Sequence, residues 1–209
     1  PYIRTVTSKV IQDELLFFVF LSLIITSVLL FILFRSFRAV AFSMLVVIIA
    51  VIWVLGTIVL FGYKITILTG ILPPLMIVIG VENSIFLLNK YLSEYRDHGN
   101  KAKALSRMIS RIGNANLLTN ATTATGFAAF IITSNTLLVQ FGIIASLNIL
   151  VIYLLSLLLL PILFSFFPSP KRKHLKHLEK SRISAIIDRI TIIVLNKRKV
   201  IYTVTIILF

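Results

Sequence analysis

The sequence predicts an all-α integral membrane protein, a polytopic helical bundle, and three observations predict it. Hydrophobic residues make up 58% of the 209 residues and charged residues 13%, against about 25% charged in an average soluble domain. Apolar runs near the roughly 20 residues that a membrane-crossing helix needs recur along the chain. The formal net charge is +14, but the basic residues gather in the loops between those runs, where membrane topology uses them. That placement argues against nucleic acid as a partner. There is no cysteine, which excludes disulfides and thiol chemistry. The chain begins at Pro1 without a signal-peptide pattern and stops inside an apolar run at Phe209, so it reads as a segment of a longer protein.

Residues 1–14 read as the end of a preceding extracytoplasmic domain, and 15–167 as a bundle of five spans. The first span, Leu15 to Phe34, lies between Glu14 and Arg35 and contains no charge. The second is near Ala39 to Phe61. The third runs from about Ile65 to Leu88, with Pro73-Pro74 expected to kink or interrupt its outer half. Between Arg111 and Lys171 no charged residue occurs, and a polar turn around Ser134, Asn135 and Gln140 divides this stretch into spans near Ala115–Thr133 and Phe141–Phe167. Residues 168–182 form a basic linker. Residues 183–196 repeat isoleucine at helical spacing beside Arg and Asp, as a helix lying on the membrane surface does. A further span starts near Lys199. Trp53, Tyr63 and Tyr153 read as packing or interface residues.

Arg35, Arg38, the loop from Lys90 to Arg111 and the ten Lys/Arg from Lys171 to Lys199 fall on one side of the membrane; Arg4, Lys9 and Lys64 fall on the other. The rich side is then cytoplasmic and the N-terminus extracytoplasmic. In the loop, "GNKAKALSRMISRIG" predicts a helix capped by Asn100 and ended by Gly113, with Leu105, Met108, Ile109 and Ile112 on one face.

The chemistry centres on "IVIGVENSIFLLNKY", residues 77–91. Glu82 is the one acid inside any long apolar segment. With the third span centred near Ile77–Val78, Glu82 lies about 6–7 Å from the bilayer centre, beyond reach of the headgroups. A carboxyl there costs roughly 2.5–3.5 kcal/mol on insertion scales, so it must face protein or water. The next span supplies a polar stripe at i, i+3, i+4, i+7: Asn116, Thr119, Asn120 and Thr123. Glu82 and Asn83 are expected to face that stripe inside the bundle, with Ala121, Thr125 and Ala129 as a small-residue ridge for close helix approach. Such a carboxyl suits a proton relay; the competing reading is a neutral glutamic acid that fixes helix packing. No carboxylate pair, metal cluster or phosphate loop suggests an enzyme, a metal or a cofactor. His174 and His177, at i, i+3, sit among basic neighbours and read as a surface face.

Two of these stretches carry a resemblance. "GVENSIFLLNKY" is similar to the Gly-x-x-Asp-Tyr/Asp pattern of the resistance–nodulation–division (RND) superfamily, in its MMPL-type, Patched-related branch. "LLTNATTATGFAAF" resembles the Leu-Thr-Thr-Ala-x-Gly-Phe helix of that branch, and the order of spans agrees. The resemblance implies two six-helix halves, of which this chain holds helices two to six of the first half and the start of helix seven. It also implies proton-driven export of lipids or other hydrophobic molecules from a bacterial plasma (inner) membrane, with relay acids on the fourth helix. Glu82 takes the first relay position, where the family has Asp, and Asn83, which does not titrate, takes the second. The implied partners are the bilayer, protons, a lipid-like substrate and the remaining half of the polypeptide, with a homo-oligomer left open. A sterol-sensing-type bundle that binds lipid without transport is the alternative on the same fold.

Overall fold

The computed structural model describes residues 2–166, with side chains from Glu14 onward. The expected linker 168–182, surface helix 183–196, last span 199–209, and His174 and His177 lie outside the described residues. Among the described residues there is no strand. The elements are α1 (Tyr2–Phe34), α2 (Phe37–Leu60), a short α3 (Ile67–Gly70), α4 (Leu72–His98), α5 (Lys101–Ala128), a 3-10 turn (Ala129–Ile132) and α6 (Thr136–Phe166).

Local chemistry sets the joints. The chain reverses between α1 and α2 through Arg35, at φ 47°, and Ser36. The third span is interrupted, as Pro73-Pro74 predicts. Helix α3 opens with a capping box, in which the Thr66 hydroxyl accepts from Thr69 N (3.3 Å) and the Thr69 hydroxyl from Thr66 N (2.7 Å). Helix α4 then starts afresh with the prolines in its first turn, where a missing N–H leaves no bond unmade. At its other end Gly99 adopts φ 64° and donates to Tyr95 O (2.8 Å), and the Asn100 side chain accepts from Lys103 N (3.1 Å) to cap α5.

Gly113 does not end that helix. The loop segment and the expected fourth span form one helix of 28 residues, although mid-helix glycine costs about 1 kcal/mol relative to alanine. The bare backbone lets α6 approach, and Tyr153 Oη donates to Gly113 O (3.0 Å). Of the predicted apolar face, Met108 is fully buried while Ile109 is exposed. The turn before α6 holds Ser134 and Asn135, whose side chain accepts from Leu137 N (2.9 Å). Gln140, expected in that turn, lies inside α6. Close to it, Gly142 packs so tightly that a Cβ there would stand 2.8 Å from Phe127 O.

Among the described residues, four segments are long and apolar enough to cross a membrane: α1 from Glu14, α2, the stretch Ile67–His98, and α6. Five were expected. Helix α5 falls short in composition because asparagines, threonines and basic residues occupy it. At 28 residues it is nevertheless about 42 Å long, and it packs along α4 and α6. The core lies between α2, α4 and α6, around Val54, Met76, Ile144, Ile149 and Ile152, with Ala124 from α5. A Cβ on Gly80 would stand 3.3 Å from Val47 and 3.6 Å from Ile152, which marks where α4 meets both neighbours. Asn148 on α6 donates to Thr57 Oγ1 on α2 (2.9 Å) and to Ile144 O (2.8 Å), a cross-helix polar tie. Helix α1 is peripheral, with 11% of its apolar window buried. Trp53 faces outward and Tyr153 inward.

Candidate functional site on the α4–α5 pair

Adjacent residues on a helix point about 100° apart, and on α4 this separates the two polar residues of the "VENS" segment. Asn83 is buried, at 1% exposure. Glu82 is exposed, in one outward row with Val78 and Phe86. The four-residue stripe on α5 divides the same way: Asn116 and Asn120 are buried, Thr119 and Thr123 exposed.

The inward members join. Asn120 Nδ2 donates to Asn83 Oδ1 (2.9 Å) and to Asn116 O (2.8 Å), and Asn83 Nδ2 donates to Asn120 Oδ1 (3.3 Å). This reciprocal amide pair ties α4 to α5 at the depth of Glu82. Asn116 Nδ2 has no partner. Neither exposed threonine reaches across to another helix. The Thr119 hydroxyl donates to Ala115 O (3.2 Å) and the Thr123 hydroxyl to Thr119 O (2.9 Å).

The expectation that Glu82 faces the stripe inside the bundle is thus corrected: in this chain only Asn83, Asn116 and Asn120 meet there. Periodicity is the reason, since a helix cannot aim two consecutive side chains at one neighbour. The outward groups still share a side. Because α4 and α5 are antiparallel, Glu82 turns off the Asn83 direction to the same side of the seam as Thr119 and Thr123 turn off the Asn120 direction. The ridge of Ala121, Thr125 and Ala129 does not carry the packing either, since Thr125 and Ala129 are exposed; Gly113 and Ala124 take that role.

Two further features escaped the sequence reading. Leu15, Phe18 and Ser22 of α1, Ile67 of α3 and Ile71 and Pro74 beside it line an open, mainly apolar groove of about 270 Å³ with Glu14 at its rim. Nothing in the sequence pairs the first span with the proline break. The second is Glu94, nearly fully buried, with Lys90 Nζ at 2.9 Å, Arg107 Nη1 at 3.3 Å and Arg111 Nη1 at 3.4 Å. His98 joins it: Arg107 Nη1 lies 2.6 Å from His98 Nε2, and His98 Nδ1 lies 3.3 Å from Glu94 O. The i, i+4 spacing of Lys90, Glu94 and His98 was a usable signal for part of it.

These features define a multi-pass membrane protein whose fourth and fifth helices are tied by buried amides and carry one intramembrane carboxyl. The family model described as "MMPL family" matches residues 4–190, and the chain belongs to that family. It is also similar to a Methanocaldococcus jannaschii protein whose name says only that it is a membrane protein, with 28% identity over 163 residues. The match covers 78% of this chain and 42% of that relative, so the chain spans well under half of the relative's length. No solved structure matches the chain.

Proposed function

We propose that the chain is the membrane domain of a proton-driven exporter of lipids or other hydrophobic molecules, with Glu82 as the carboxyl that takes up and releases the proton. The observation that carries this is the position of Glu82: exposed on the outer face of α4, in the apolar part of the helix, without a cation partner among the described residues. Facing lipid, that carboxyl would cost roughly 2.5–3.5 kcal/mol. A protein surface covering it removes the cost, and small or hydroxyl-bearing residues are what a closely packed helix interface uses. Thr119 and Thr123 flank it on that side. The remaining half of the longer polypeptide is the proposed cover, and its approach and withdrawal would change the surroundings of Glu82 as the proton moves. The proposed orientation puts the loop between α4 and α5 in the cytoplasm of a bacterial cell, following its Lys and Arg content.

The groove between α1 and α3–α4 supports a second reading, a bundle that binds a sterol-like or acyl ligand without transport. Its volume is near the lower end for small-molecule sites. The two readings separate in proteoliposomes containing the full-length protein. Glu82→Gln is expected to abolish transport driven by an imposed pH gradient while leaving membrane level and lipid binding unchanged. Undiminished transport by that variant would remove Glu82 from the relay.

A further inference from the structure

The Glu94 cluster lies outside the proposed relay. Lys90, Arg107 and Arg111 surround one carboxylate, which leaves a surplus of two positive charges. Asp97, the nearest other acid in sequence, pairs with Arg96 (3.2 Å). The surplus is held in place. Glu94 is 3% exposed, whereas the Arg111 side chain is 60% exposed and that of Arg107 33%. Each guanidinium carries five N–H donors in a planar fork. Among the described residues Arg111 meets no acceptor besides Glu94, so the rest of its fork faces outward.

Depth selects the ligand. The apolar part of α4 ends at Leu88. From a span centre near Ile77–Val78, Lys90 lies about 19 Å along the axis at 1.5 Å per residue. The hydrocarbon layer ends at about 15 Å and the headgroup layer at about 20–22 Å from the centre. On the same scale Glu94 lies about 25 Å from the centre and Arg111, nine residues from the Asn120 that pairs with Asn83, about 22 Å, at the outer edge of the headgroup layer. From there the exposed Arg111 side chain reaches back to lipid phosphates, whose oxygens its paired N–H donors fit.

We propose that Lys90, Arg107 and Arg111, oriented by Glu94, form a binding site for the phosphate of an anionic phospholipid at the loop end of the α4–α5 pair. It requires neither the transport reading nor a particular membrane orientation. The site is built rather than diffuse: Glu94 holds the three cations in one geometry, whereas Lys103, exposed on α5, forms no ion pair with Glu94.

The test uses the full-length protein in detergent, with native mass spectrometry reading retained lipid. Wild type is expected to keep phosphatidylglycerol about tenfold more than phosphatidylcholine, in line with one or two charge-assisted hydrogen bonds. Arg111→Gln is expected to lower phosphatidylglycerol retention about tenfold. Lys103→Gln removes the same charge and is expected to change it less than about twofold. Arg111 is exposed enough that its variant folds, which an unchanged elution profile checks. Equal retention of the two lipids, or equal loss in the two variants, would overturn the built site. Full displacement of the lipid by millimolar inorganic phosphate would overturn the lipid assignment in favour of a free-phosphate site.

Discussion

Two of the carboxyls on helix α4, Glu82 and Glu94, are in opposite circumstances. Glu94, at the loop end, is sealed from solvent by three cations and a histidine. Glu82, twelve residues earlier and about 18 Å along the axis, is exposed on the helix's outer face with no cation near it among the described residues. Where this fold buries a carboxylate it supplies counter-charges, as the cost of desolvating an ion demands. Where it sets one in the apolar part of α4 it supplies none among the described residues, which leave that face open. Structure explains the first completely. The second has no ion pair among the described residues, and the proposed relay is the role offered for it.

That contrast can be broken by mutation. Glu94→Lys should have the largest effect: four cations without a counter-charge would part the ends of α4 and α5, and no folded protein is expected by size-exclusion chromatography. Glu94→Gln keeps the shape and loses the charge; a clear fall in thermal midpoint is expected, where Glu82→Gln leaves the midpoint unchanged. Equal falls in the two would show that Glu82 is a structural residue as well. In the amide pair, Asn120→Ala should cost about 1–3 kcal/mol in denaturant titration, because Asn83 remains buried and unpaired. Replacing Asn83 and Asn120 together by leucine should cost less, since the amide pair goes as a unit and, among the side chains left, only Asn116 Oδ1 loses a donor (3.3 Å). Thr119→Val, on the outer face, should stay within about 0.5 kcal/mol.

The spans of α1 and α2 were legible because a run of apolar residues bounded by charge admits one interpretation, and that of α6 because a polar turn precedes it. The Pro73-Pro74 break and the Asn100 cap were legible for a local reason, since proline and asparagine act on their own neighbours. Gly113 misled because a glycine that ends a helix and one that admits a neighbouring helix look alike until Tyr153 is known to lie against it. The polar stripe on α5 was read as one face, but its two halves face different ways. Periodicity could have separated them had Asn83, rather than Glu82, been taken as the residue aimed at α5. Glu94 gathers Arg107 and Arg111 from across the α4–α5 turn, and nothing along the chain fixes that register.

The central claim is a division of labour within two adjacent residues: Glu82 moves the proton and Asn83 holds the helices. Substrate-linked proton movement in proteoliposomes of the full-length protein tests it directly, with Glu82→Gln measured beside the Asn83→Leu, Asn120→Leu double variant. The account predicts no proton movement in the first and retained movement in the second. Retained movement in Glu82→Gln together with its loss in a folded double variant would contradict it.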